Sequence, residues 1–297
     1  MDNELLLIDR LGVIRDTINS YGEENFYLSF SGGKDSTVLH HLLDMAIPGN
    51  KIPRVFINTG IEYNEIVKFA KLMAENDKRF VFIKPTKPIK QILEKYGYPF
   101  KSKEHSTKLH EWQLGHRDTI SIKKYLTKGA SIHFTCPDVL REQFTDTYPL
   151  KISQYCCLEL KKRPVHKWEK ANNKTIKITG MMRAEGGQRI NIHCITTDNN
   201  GKVTRFHPLS KINKEWEEWF IQKYKIKLCE LYYEPYNFER TGCKGCPFAL
   251  GLQEQLETME KYLPAERKQC EYIWKPVYAE YRRLGYRLKK DEQLKLF

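Results

Sequence analysis

Apolar runs of two kinds succeed one another along the first hundred residues. Residues 5–21 carry Leu7, Leu11, Ile14 and Ile18 at helical spacing and predict an amphipathic helix. Phe26-Tyr27-Leu28-Ser29-Phe30 is a strand-type run closed by glycines, and a helix is expected from about Ser36 to Ala46. A second strand-type run at 53–58 precedes a helix at 62–75, and a third at 79–84 precedes a helix near 87–96. One more, Thr175 to Thr179, ends at Gly180. Strand and helix in this succession predict an α/β fold built on a doubly wound parallel sheet. Ligands of such sheets lie beyond the carboxyl ends of the strands, where Ser31 to Ser36 and Thr59-Gly60 fall.

The rest of the chain is less regular. Residues 98–150 are polar and rich in Lys, His and Thr, and are expected to form an insertion or flap over the site. Within it His105, His110 and His116 lie among Lys101, Lys103 and Lys108 and read as an acceptor-binding flap; a mobile polar loop without function is the plain alternative. From 213 onward the pattern is helical and aromatic. The expected division is therefore a nucleotide-binding α/β domain over 1–212 and a helical C-terminal region over 213–297.

Composition adds a sign and a compartment. The chain has 297 residues, with 50 Lys and Arg against 37 Asp and Glu, a net charge of +13. That balance suits nucleotides, pyrophosphate or nucleic acid. Lysines solvated along the whole chain are an equal reading. No apolar run approaches the roughly 20 residues of a membrane span, and Met1 to Ile8 does not resemble a signal peptide. A soluble, cytoplasmic protein without a membrane partner is expected. Eight cysteines in that setting argue against a disulfide framework.

Ser29-Phe30-Ser31-Gly32-Gly33-Lys34-Asp35-Ser36 joins a strand to a helix. Two glycines let successive amides point into one concavity, and the helix N-terminus adds partial positive charge. The Ser31 and Ser36 hydroxyls add donors and Lys34 a full charge, which makes a pyrophosphate cradle. The plain alternative is a capped glycine turn. The loop lacks the G-x-x-x-x-G-K-S/T pattern and instead resembles the S-G-G-x-D-S loop of the PP-loop superfamily, whose members bind ATP or phosphoadenosine phosphosulfate (PAPS).

Further motifs follow in order. Tyr155-Cys156-Cys157 through Pro164, Gly180-Met181-Met182-Arg183 with the later Arg189, His207-Pro208-Leu209 before Trp216 and Trp219, and Arg240-Thr241-Gly242-Cys243-Lys244-Gly245-Cys246-Pro247 together resemble the PAPS reductase family, from about residue 25 to 250. The resemblance implies an adenine nucleotide alpha hydrolase-like fold. It also implies a nucleotide site drawn from Ser29, Ser31, Gly32, Gly33, Lys34, Asp35, Ser36, Thr59, Gly60, Gly180 and Arg183. Lys34, Asp35 and Arg183 are the implied catalytic residues. In the cluster-bearing branch a C-C … C-x-x-C set holds a 4Fe–4S cluster, which assigns Cys156, Cys157, Cys243 and Cys246 as metal ligands. Structural zinc and unliganded thiols are the rival readings, although zinc sites usually pair two C-x-x-C motifs. Cys136, Cys194, Cys229 and Cys270 read as small buried hydrophobes.

One departure redirects the chemistry. Sulfonucleotide reductases of this family carry their nucleophile in a C-terminal E-C-G-I/L-H-type tail, whereas Lys289 to Phe297 contains no cysteine. The chain is similar as well to the DNA phosphorothioation sulfurtransferases, which combine the same loop with a four-cysteine cluster. That implies ATP and Mg²⁺ as ligands, a nucleic-acid acceptor and a sulfur-donor protein, with Asp35 positioning the Mg²⁺. A reductase using Cys194, Cys136 or an external thiol, and a nucleotide-binding sensor without turnover, stand as alternatives. A homo-oligomer is compatible with the sequence.

Overall fold

The computed structural model describes residues 2–129 and 135–290. Its helices in chain order are α1 (Asn3–Tyr21), α2 (Lys34–Ala46), α3 (Asn64–Glu75), α4 (Ile89–Tyr96), α5 (Lys103–Gln113) and α6 (Ile120–Leu126). They continue as the single turn α7 (Tyr155–Cys157), α8 (Arg163–Ala171), α9 (Lys214–Lys223), α10 (Leu252–Tyr262) and α11 (Pro264–Leu284). The strands are β1 (Phe26–Phe30), β2 (Arg54–Ile57), β3 (Phe80–Ile83), β4 (Ile176–Ile178), β5 (Ile195–Thr197) and β6 (Val203–Phe206). Among the described residues no helix is long and apolar enough to cross a membrane.

The chain folds as two compact units. One comprises Met1–Asn58, Glu62–Lys84 and Pro164–Thr241; the other comprises Thr59–Ile61, Pro85–Arg163 and Gly242–Phe297. The first holds a six-stranded sheet in the order β3-β2-β1-β4-β6-β5. All neighbours are parallel except β5, which runs antiparallel to β6 at the edge. Phe26, Tyr27, Leu28 and Phe30 of β1 are almost completely buried, as expected of a central parallel strand covered on both faces. From β1 the chain moves outward to β2 and β3, then returns to lay β4 on the other side of β1. The strand order thus reverses at β1, and the carboxyl end of a strand at such a reversal is the usual ligand position of doubly wound sheets. The short polar strands β5 and β6 carry no period-2 signal and escape a reading of the sequence.

α2 buries Val38, Leu39, Leu42, Leu43 and Ala46. Its first turn begins at Lys34, two residues earlier than the apolar pattern indicates, so Lys34 and Asp35 belong to the helix N-terminus. Beneath it a charged network ties the first unit together. The fully buried Arg54 donates to Asp44 Oδ1 and to Asn50 Oδ1, both at 2.7 Å. Arg79 grips both oxygens of Asp44, at 2.7 and 2.9 Å, as well as Asp77.

The second unit contains most of the segment expected to be a flap. Residues 103–113 and 120–126 are helices, and Tyr98 bridges Ile152. His105 is fully buried between the Tyr125 hydroxyl at 2.9 Å and Gln143 Oε1 at 2.8 Å, and burial pushes its imidazole down to about 3. His110 is buried too, with Nδ1 3.1 Å from the Ile152 carbonyl, whereas His116 is exposed. The acceptor-flap expectation is thus corrected for His105 and His110. Apolar neighbours such as Phe100, Leu109 and Phe144 outweigh the polar composition there.

Candidate active site

The loop after β1 closes on itself through hydroxyls. The Ser31 N–H donates to Ser36 Oγ at 3.2 Å, and the Gly33 N–H donates to Ser31 Oγ at 3.3 Å. Ser36 Oγ donates to the Gly33 carbonyl at 2.9 Å, which leaves Ser31 as donor in the 3.0 Å contact between the two serines. Both serine protons therefore shape the loop and do not point to a ligand. Gly32 adopts φ 73°, and a Cβ there would meet Ile66 Cγ2 at 2.9 Å. Only glycine fits a left-handed turn packed that closely. Ser29 lies within β1, paired with Val55.

Two segments from far along the chain come to this loop. Gly180, just beyond β4, passes so near α2 that a Cβ would sit 2.9 Å from Asp35 Cβ and 3.0 Å from its carbonyl oxygen. The Tyr232 hydroxyl accepts the Lys34 N–H at 3.2 Å and lies 2.7 Å from Thr241 Oγ1. The Lys34 ammonium rests 5.6 Å from the Tyr232 ring centroid, within the range of a cation–π contact. Burial pushes the Tyr232 phenol up to about 12.

Charge is arranged around Asp35. Glu217 on α9 is 3 % exposed, and burial followed by the facing Asp35 carboxyl pushes it up to about 8. Its Oε1 has no hydrogen-bond partner among the described residues. Arg189 lies within electrostatic reach of Asp35, and burial and then Arg240 hold its guanidinium below the ordinary arginine range. Arg189 and Arg240 both pair with the half-buried Glu185. Arg183 stands apart: it is exposed, and its Nε donates to the Ile192 carbonyl at 2.6 Å. The structure therefore brings Ser31, Gly32, Gly33, Lys34, Asp35, Ser36 and Gly180 together. It turns Arg183 to a neighbouring loop and places Thr59 and Gly60 in the other unit.

All four cysteines of the implied ligand set belong to the second unit. Cys156 and Cys157 end the one-turn α7, with their sulfurs 4.0 Å apart, and a π-helical turn over Leu158–Lys162 follows. The hydrogen bond from Cys156 lowers the Cys157 thiol, assisted by Lys103, Lys161 and Lys162; Cys156 itself is pushed up. Burial, then the charges of Cys243 and Cys157, push Cys246 up to about 12. The four sulfurs sense one another's charge, but among the described residues no three His, Cys, Asp or Glu side chains surround a single point closely enough for a metal ion. Four soft thiols with three lysines at hand fit an anionic iron–sulfur group chemically.

α11 grips the C-x-x-C loop by its backbone. Trp274 Nε1 donates to the Lys244 carbonyl at 3.3 Å, Tyr278 to that of Gly245, and Tyr281 to that of Pro247 at 2.8 Å. A Cβ on Gly245 would collide with the Tyr278 hydroxyl at 2.4 Å and Cys270 Sγ at 2.7 Å. These aromatic residues recur at helical spacing in the sequence, the one local sign of such a clamp. Of the four remaining cysteines Cys136, Cys229 and Cys270 are buried as expected, but Cys194 is only half-buried, in the turn before β5.

Sheet order and the glycine loop after β1 together define a doubly wound α/β protein. The family model for the phosphoadenosine phosphosulfate reductase domain matches residues 25–249, and the chain belongs to that family. An uncharacterized protein of Methanocaldococcus jannaschii is 28% identical over 137 residues, which are 46% of this chain and 31% of that protein; the chain thus spans about a third of that relative's length. Among solved structures, the PAPS reductase of Candida auris in a phosphate complex is 12% identical, with TM-score 0.44, covering 78% of this chain and 93% of the other. FMN adenylyltransferase of Candida glabrata is 14% identical, with TM-score 0.49, over 81% and 61%.

Proposed function

We propose that this chain is a PP-loop enzyme that binds ATP or a related adenine nucleotide in the cradle of the first unit. In this reading it releases pyrophosphate in sulfurtransferase-type chemistry and holds a 4Fe–4S cluster on Cys156, Cys157, Cys243 and Cys246. The observation that favours this over thiol-dependent sulfonucleotide reduction is the state of three of the four cysteines outside the implied ligand set, the half-buried Cys194 being the exception. Burial pushes Cys136 up to about 11, Cys229 to about 11 and Cys270 to about 12. Such thiols are protonated near neutrality, and a thiol attacks only as its thiolate.

In this reading an acceptor oxygen attacks the α-phosphorus, the bond to the bridging oxygen breaks and pyrophosphate departs. Lys34 and the first amides of α2 offset the developing charge, with Arg183 and the nearer Arg189 in support. Asp35 would position Mg²⁺, and Ser29 and Gly180 contact the nucleotide. The cluster, when bound, carries or orients sulfur. The chain's positive charge suits a nucleic-acid acceptor, with sulfur supplied by a donor protein.

The test is a pair of assays on one preparation. Pyrophosphate release from ATP with Mg²⁺ is expected, and sulfite release from PAPS with reduced thioredoxin is not. Sulfite without pyrophosphate reinstates the reductase, with the half-buried Cys194 as its first nucleophile candidate and Cys194→Ser as the decisive variant. Silence in both assays beside tight nucleotide binding identifies a sensor.

A further inference from the structure

The hydroxyls that face the phosphate loop from outside it remain unexplained. Tyr232 closes the 3-10 turn Glu230–Tyr232. The chain then loops back, with the Phe238 N–H on the Leu231 carbonyl at 2.9 Å and the Phe238 ring 5.2 Å from that of Tyr63. This return sets Thr241 Oγ1 2.7 Å from the Tyr232 hydroxyl. A Cβ on Gly33 would lie 3.2 Å from Ser31 Oγ, 3.3 Å from the Tyr232 hydroxyl and 3.7 Å from Thr241 Oγ1. The space left by the missing side chain is ringed by three hydroxyls.

A proton count distinguishes them. Ser31 donates to Ser36 and Ser36 to the Gly33 carbonyl. Tyr232 and Thr241 carry two hydroxyl protons, one of which lies between them. The Tyr232 oxygen also receives the Lys34 N–H. One proton of the pair is left over, with no partner among the described residues, beside the loop amides and the Lys34 side chain.

We infer that Tyr232 and Thr241 are a further part of the phosphate cradle, a coupled hydroxyl pair that donates its remaining proton to a phosphoryl oxygen of the bound nucleotide. The inference rests on reading Ser31 to Ser36 as a phosphate loop. A neutral donor held at the N-terminus of α2 complements the Lys34 charge by fixing direction, because an ammonium on a flexible stem is a poor orienting group. The phenol keeps its proton at any physiological pH, since burial holds it near 12.

The pair is tested by calorimetric titration of ATP and of inorganic pyrophosphate into the full chain, with thermal melts reporting folding. Tyr232→Phe with Thr241→Val removes both hydroxyls and is expected to weaken both ligands by about tenfold or more, the scale of a hydrogen bond to a charged group. Each single variant keeps one hydroxyl and falls between. Thr241→Ser, which keeps the oxygen, restores the affinity lost in Thr241→Val. A folded double variant that binds pyrophosphate as tightly as the native chain, or more tightly, overturns the inference: the pair is then a staple, or a placeholder that the ligand displaces. Failure of the underlying reading has its own signature. Native protein that binds neither ligand, or Gly33→Val that binds both normally, removes the phosphate loop itself and the inference with it.

Discussion

The glycine loop of the first unit and the cysteine loop of the second differ in how far each satisfies itself. In the first, serine and tyrosine hydroxyls take up the Ser31, Gly33 and Lys34 amides, so the loop holds its own shape while one proton of the Tyr232–Thr241 pair stays unused. In the second, the clamp from α11 fixes the backbone, but the thiols are unevenly disposed: Cys156 and Cys246 are pushed up, in part by the charges of neighbouring cysteines, while Cys157 is lowered by the hydrogen bond from Cys156. A site of neutral donors is stable empty, because hydroxyls both give and accept. A site of converging thiolates needs positive charge to form. In the proposed reading the first region is therefore shaped before its ligand arrives, and the second is completed by one.

The sharpest way to break this contrast is to remove a thiol. Anaerobically prepared protein is expected to be brown, with about four irons per chain, and Cys243→Ser or Cys156→Ser is expected to lose the colour and most of the iron. Colourless protein with stoichiometric zinc refutes the cluster.

Next in size is the cradle. Gly33→Val drives a branched side chain into the ring of hydroxyls and should abolish measurable ATP binding by calorimetry while the fold persists. Lys34→Ala keeps the amides and should cost about 1.5–3 kcal/mol of affinity for ATP. Equal affinities in the native chain and both variants place the nucleotide elsewhere.

The charged network under α2 offers a comparison within the first unit. Against the pull of burial, hydrogen bonds from Arg79 and the charge of Arg54 hold the Asp44 carboxyl below the usual aspartate range, and Asp77 is lowered by Arg79 in the same way. A lowered carboxyl contributes stability that is complete above its unfolded value and is lost as pH falls through the folded one. The melting temperature should therefore drop as pH falls below about 4. Asp44→Asn should flatten that drop and cost on the order of 2–4 kcal/mol near neutrality, because Arg54 stays buried without its counter-ion. An unchanged acid limb shows that the network is not what secures the unit.

The smallest effect runs in the opposite direction. Glu217 faces Asp35 from a buried position and is raised to about 8. A raised carboxyl favours the folded state while it keeps its proton and becomes a liability as pH rises. Glu217→Gln should therefore stabilise the protein at pH 8 by on the order of 1–2 kcal/mol, read by thermal melts. A destabilised variant shows instead that Asp35 depends on this acid for its placement.

The amino-acid sequence by itself specified the first three β-α successions, the glycine loop at the end of β1 and the family motifs, because these are written in adjacent residues. An aromatic strand, two glycines and a helix face encode backbone shape over distances of a few residues. Tertiary structure decided what surrounds that loop. Tyr232 meets the Lys34 amide across 198 residues of sequence. Gly180 matters for its approach to Asp35, and the polar segment 98–150 buries His105 and His110 despite its composition. None of these has a local pattern, since a hydroxyl or an imidazole acquires its partner only when the chain returns. Interleaving had the same origin: residues 85–163 and 242–297 pack as one unit because their apolar faces complement each other, a relation no single window of sequence contains.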